Sequence, residues 1–116
     1  MKALRELTTH IKAHGVRRGV RLVWLKSQRT GRLARVSSPV TGGAVWVRPG
    51  TSDMAIYDQI VLQPYLPTER GFTTIVDCGS NIGLTVRYLK AAYPQARIAA
   101  IEPDEGNFAM LLKNTE

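Results

Sequence analysis

A single cysteine, Cys78, stands among 116 residues. It leaves no partner for an internal disulfide and too few thiols for a Cys-rich zinc site. Nothing therefore requires an oxidising compartment, and the cytoplasm is the expected location. No apolar run approaches the roughly 20 residues of a membrane-spanning helix. The amino terminus is charged but lacks an apolar core, so no secretory signal is expected there. Acids are scarce at the front, where residues 1–37 hold ten Lys/Arg and only Glu6. That composition also suits a transit peptide, an alternative that stays open. No Gly-Lys-Ser/Thr follows a glycine turn, which excludes a P-loop. Aromatics are few and are not interleaved with the basic residues, as stacking platforms for single-stranded nucleic acid require. The chain has no internal repeat and no low-complexity tract.

What remains is an ordinary globular composition, 44% apolar and 22% charged, with length for one small domain that buries roughly two-thirds of its unfolded surface. The net charge of +7 divides unevenly, +9 over residues 1–37 and −2 over residues 38–116. Such asymmetry points to an acidic partner: a phosphate-bearing substrate, a nucleic acid or a membrane surface. A merely solvated basic face accounts for it equally well.

Apolar spacing predicts helices over 2–14, with Leu4, Leu7 and Ile11 inward, and over 16–26, with Val16, Val20, Val23 and Trp24 inward. Leu33–Val36 and Ala44–Val47 read as a hairpin. Thr51, Ser52 and Asp53 are good caps for a helix from Met54, with Ile56, Ile60, Tyr57 and Val61 facing inward. Pro64 and Pro67 should close it, and Tyr65–Gly71 is a connector. Phe72–Val76 reads as a strand buried on both faces, followed by a helix over 82–92, a strand over Arg97–Ile101 and a helix capped by Asp104. In that last helix Phe108, Leu111 and Leu112 should face inward. The expected organisation is a basic helical segment over 1–36, a hairpin, helix and connector over 37–71, and the β-α-β-α start of a cofactor-binding domain over 72–116, with a right-handed crossover.

The densest signal is Ile75-Val76-Asp77-Cys78-Gly79-Ser80-Asn81-Ile82-Gly83, then Ile101-Glu102-Pro103-Asp104. Each strand ends near a carboxylate, and Glu102 lies 19 positions beyond Gly83. This is the layout of a nucleotide-type cofactor site. Gly79 can take a positive φ or let a ligand lie on bare backbone. Gly83 lets the helix start pack close to the sheet, and the helix N-terminus suits a carboxylate or phosphate. A dinucleotide turn needs glycine where Asn81 stands, because a side chain there crowds a pyrophosphate. That favours S-adenosylmethionine, which has no phosphate, over NAD. Asp77 can accept from its ammonium and Glu102 from both ribose hydroxyls. An ordinary strand-to-helix turn with a capping acid is the plain alternative.

These residues, with Asn107-Phe108, Leu111, Asn114 and the upstream Arg48-Pro49-Gly50-Thr51-Ser52-Asp53, resemble the FkbM-type S-adenosylmethionine-dependent methyltransferases from about residue 44 to 114. The resemblance implies a Rossmann-like, largely parallel seven-stranded sheet and methyl transfer to a hydroxyl oxygen of a sugar or natural product. It also implies that Asp77, Gly79, Asn81 and Gly83 line the methionine end and that Glu102 holds the ribose. The cofactor-binding candidates are Asp77, Gly79, Ser80, Asn81, Gly83, Glu102, Pro103 and Asp104, with no general base nameable. Two parallel strands want both faces and edges covered, so the chain is expected to be the front part of a longer enzyme or a remnant of one.

Other residues carry weaker signals. His10 and His14, four apart on a helix, imitate a metal pair but are expected to face solvent. Cys78 is expected to be a small buried strand-end residue rather than a nucleophile. Asp53 and Asp104 are expected caps, and Trp24 and Trp46 expected core residues. Two rival functions stay in view: a basic nucleic-acid or anionic-membrane binding module with a vestigial cofactor fold, and an NAD-dependent oxidoreductase.

Overall fold

A computed structural model describes residues 1–63 and 71–116. The expected closure of a helix by Pro64 and Pro67, and most of the Tyr65–Gly71 connector, lie outside the described residues. The described chain is α/β, with helices around two small sheets. Helices α1 (Lys2–His14) and α2 (Val16–Ser27) are joined by Gly15 alone. Strands β1 (Ala34–Ser38) and β2 (Gly43–Val47) form an antiparallel hairpin with Arg35 opposite Trp46 and Val36 opposite Val45. Helix α3 (Ser52–Leu62) follows. Then come β3 (Thr74–Cys78), α4 (Leu84–Ala92), β4 (Arg97–Ile101) and α5 (Glu105–Thr115), in which β3 and β4 pair in parallel.

The elements arise where sequence spacing places them, but several present a different face. In α2 the buried residues are Gly19, Leu22 and Leu25, while Val16, Val20 and Trp24 are exposed, the reverse of the expectation. The cause is Gly19. A Cβ there would lie 2.7 Å from the backbone nitrogen of Ile11, so only glycine admits this approach of α1 and α2, and the helix turns that side inward. Leu4 is likewise exposed on α1, and His10 is buried in its place.

In α3, Met54, Tyr57 and Ile60 are buried, with Ile56 and Val61 only half-buried. Its cap is Thr51, whose hydroxyl accepts from the Asp53 N–H at 3.2 Å, so Asp53 is not the cap. In α5 the buried side is Met110, Leu111 and Asn114, and Phe108 and Leu112 are exposed. Asn114 sets that side. Its Nδ2 donates to the Trp46 and Ile82 carbonyls at 3.0 and 2.8 Å, and its Oδ1 accepts from the Trp46 N–H at 2.7 Å. The amide thereby imitates a strand's pairing with Trp46 and joins the hairpin to the βα unit without a shared ladder.

The core holds Val36, Val45 and Val47 of the hairpin, Met54, Tyr57 and Ile60 of α3, Ile82, Leu84 and Leu89 around α4, and Met110 of α5. Burying such side chains contributes roughly 1.5–3 kcal/mol each. The parallel pair is covered on one face only. Val76 and Ile101 are 59% and 54% exposed, and Cys78 is exposed rather than buried. Side chains alternate along a strand, so helices on one side leave this second face open, contrary to the expected two-sided burial. No described helix is long and apolar enough to cross a membrane.

Candidate functional site

The turn after β3 is built from backbone conformations that few residues tolerate. Gly79, Asn81 and Gly83 have φ of 82°, 49° and 85°. Asparagine is among the non-glycine residues best suited to that region, which gives Asn81 a conformational reason beside its chemical one. At Gly79 a Cβ would meet nothing within 4 Å, so the backbone faces open space that a ligand can approach. Gly83 differs. A Cβ there would stand 2.8 Å from Leu111 Cδ1, so its close packing is against α5 rather than the expected sheet.

Glu102 and Ser80 tie the two strand ends together. The Gly79 and Ser80 N–H groups donate to the Ile101 carbonyl at 2.8 and 2.9 Å. Ser80 Oγ donates to the Asp77 carbonyl at 2.8 Å and accepts from the Ile101 N–H at 3.2 Å. Ser80 is buried, and its hydroxyl is engaged within the fold. Glu102 Oε2 accepts from the Asn81 N–H at 2.7 Å, and its Oε1 from the Asp104 N–H at 2.9 Å. Each oxygen keeps a lone pair for a further donor. Pro103, exposed, follows it, and Asp104 caps α5 by accepting from the Asn107 N–H at 2.7 Å.

Two acceptors of the same turn are left over. Asp77 Oδ2 and Asn81 Oδ1 are buried without a hydrogen-bond partner. Buried polar atoms are normally satisfied, because an unmet one costs about 1–3 kcal/mol. Helix α4 begins beside them at Gly83 with no side-chain cap and no acid in its first turn, so its N-terminus keeps its partial positive charge. An acceptor pair, bare backbone and an uncapped helix start together fit a zwitterionic amino-acid end, with the ammonium toward the acceptors and the carboxylate toward the helix. An open cleft of about 830 Å³ lies elsewhere, between α4, β4 and α5. None of the turn residues lines it, and its Arg87 and Lys90 donate to the Thr41 and Ala96 carbonyls.

Residues matching this chain occur in named proteins. The chain is 45% identical over 42 residues to "Methyltransferase 1" of Beauveria bassiana (strain ARSEF 2860), a match covering 36% of this chain and 17% of that protein. It is 50% identical over 40 residues to "Methyltransferase sdnD" of Sordaria araneosa, covering 34% of this chain and 15% of that protein. Over that stretch the chain resembles methyltransferases. The match spans about a sixth of the length of these relatives. No family model matches the chain, and no solved structure matches it.

Beyond the turn, two polar clusters bring together residues whose contacts were not legible in the sequence. Arg48 donates through Nε and Nη2 to the buried Asp53 carboxylate, both at 2.8 Å, and through Nη2 to Asn107 Oδ1 at 2.6 Å. The bidentate pair raises the Arg48 pKa. It latches the start of α3 to the start of α5; Arg48 and Asn107 were named only through the family resemblance and Asp53 also as a cap, with no local sign of this contact.

At the junction of α1, α2 and α3, Lys26 Nζ donates to Glu6 and Asp58 and lies 3.0 Å from His10 Nε2. Glu6, His10 and Asp58 are grouped closely enough to hold a metal ion, but the Lys26 ammonium takes their centre. Burial pushes Lys26 downward, and the hydrogen bonds it donates to Asp58 and Glu6 outweigh it, so its pKa is raised. Burial lowers the pKa of both His10 and His14. His10 is buried and His14 half-buried, which corrects the expectation that both face solvent. Trp24 is 57% exposed, not core, and Trp46 is half-buried with Arg35 and Lys113 over its ring.

Proposed function

We propose that this chain carries the S-adenosylmethionine-binding turn of an FkbM-type O-methyltransferase, built on a Rossmann-like sheet that β3 and β4 begin, and that its acceptor is a hydroxyl of a sugar or natural product. The observation that carries the reading is the pair of buried, unpartnered acceptors, Asp77 Oδ2 and Asn81 Oδ1, beside an open Gly79 backbone. A cofactor ammonium supplies the donors they lack. The names of the two partial relatives agree with methyl transfer in general.

In this reading Asp77 and Asn81 bind the ammonium, the N-terminus of α4 binds the carboxylate, and the remaining lone pairs of Glu102 accept from the ribose hydroxyls. S-adenosylmethionine supplies the electrophilic methyl group when bound. The chain's own part is positioning: a fixed turn holds the donor's amino-acid end, leaving the acceptor to be aligned in line with it and shielded from water.

Calorimetric titration with S-adenosylhomocysteine tests the reading. Binding should be measurable and should weaken roughly ten- to a hundredfold in Asp77→Asn and in Glu102→Gln, the worth of one charge-assisted hydrogen bond. Absence of binding, binding undiminished in both variants, or preference for NAD would overturn it. Circular dichroism on each variant separates lost binding from lost fold.

A further inference from the structure

The fold leaves a stripe of apolar side chains uncovered on α2. Val16, Val20 and Trp24 recur at every fourth position, and they are 64%, 48% and 57% exposed. Gly19, Leu22 and Leu25 already serve the packing against the rest of the molecule, so the stripe is a second apolar face that the fold does not use. Arg17 and Arg21 follow Val16 and Val20 by one position, about 100° round the helix, and both are exposed. Arg18, Lys12, Arg5 and Lys2 are exposed on the same pair of helices. The one acid of residues 1–37, Glu6, is tied to Lys26 and lends the outer surface no free negative charge.

We propose that the outer face of α2 is a docking surface for an anionic lipid bilayer, lying in the headgroup layer with Val16, Val20 and Trp24 toward the acyl chains and Arg17 and Arg21 on lipid phosphates. Charge complementarity names a negative occupant. The apolar stripe then decides between negative occupants. Aliphatic side chains gain nothing from a nucleic-acid phosphate groove but gain from entering the acyl boundary, where tryptophan is also favoured. At 12 residues, α2 is about 18 Å long, too short to span and suited to lie flat. The pairing with a methyltransferase is coherent if the hydroxyl acceptor is itself held at a membrane, but the surface stands on α2 alone and does not depend on the cofactor reading.

The test is sedimentation of the purified chain with vesicles of phosphatidylcholine, with and without phosphatidylserine, alongside duplex DNA in a gel shift. The chain should pellet with the phosphatidylserine vesicles at low salt and less so as salt rises. Each of Arg17→Gln and Arg21→Gln should weaken binding roughly fivefold. Trp24 emission should shift to the blue on adding those vesicles, and Trp24→Phe should abolish the shift. Val20→Ser should weaken pelleting with α-helical circular dichroism unchanged. No pelleting at low salt, equal pelleting with phosphatidylcholine alone, binding to DNA but not to vesicles, or a shift that survives Trp24→Phe overturns the proposal. A Val20-dependent dimer by gel filtration that fails to bind vesicles assigns the stripe to a second copy and overturns it too.

Discussion

Asparagine does three different jobs in this chain, and its short amide explains each. At Asn81 it occupies a left-handed backbone position that most side chains avoid, and its Oδ1 is a buried acceptor without a partner. At Asn107 it receives the Arg48 guanidinium that also grips Asp53. At Asn114 it serves as both donor and acceptor for the backbone of Trp46. Replacing Asn114 by Leu keeps the branched shape but leaves the buried Ile82 carbonyl and the part-buried Trp46 groups unpaired, and should cost about 2–4 kcal/mol in urea denaturation. Gln95→Leu, at an exposed residue, is expected to stay within about 0.5 kcal/mol. The sequence singled out Asp77, Gly79, Asn81 and Glu102 because strand ends and glycines advertise a turn. Asn114 entered only through the family resemblance, and its bridging contact was not legible, because an amide that joins two elements 68 residues apart has no local signature.

At the scale of elements, helix existence followed from periodicity, but helix orientation followed from single residues. Helix α2 carries two apolar faces, and Gly19 chose between them. Alanine is the better helix former by about 1 kcal/mol, yet Gly19→Ala should destabilise the protein, because its Cβ would stand 2.7 Å from the Ile11 nitrogen. A lower melting temperature with unchanged or higher helicity of the isolated α2 peptide is the expected result.

The same junction sets an acid limit. Burial lowers the pKa of His10 and His14 from 6.5. Below about pH 6.5 the unfolded chain therefore binds protons that the folded chain refuses, and stability falls as pH falls, by at most about 1.4 kcal/mol per pH unit for each histidine. Glu6, whose pKa the Lys26 hydrogen bond lowers from 4.5, extends the loss into more acidic solution. Melting temperature should be flat above about pH 7 and drop below about pH 6, with a shallower slope in His14→Gln.

For the molecule as a whole, the open face of the parallel pair is the dominant feature. Val76 and Ile101 lie exposed on it. Exposed apolar surface of this kind binds hydrophobic dyes and favours association. The chain should enhance anilinonaphthalene sulfonate fluorescence while retaining cooperative unfolding, and Val76→Ser with Ile101→Ser should remove most of the enhancement. The amino-acid sequence alone determined the order of helices and strands, the hairpin, the parallel βα unit and the glycine turn with its flanking acids, because each is written in contacts between near neighbours or in backbone rules for single residues. Only the tertiary structure decided which face of α2 and α5 turns inward, that His10 is buried, that Cys78 is open, and that one side of β3 and β4 stays bare. Those outcomes depend on close approach between distant segments, and on how many helices reach a given sheet face, neither of which any local stretch encodes.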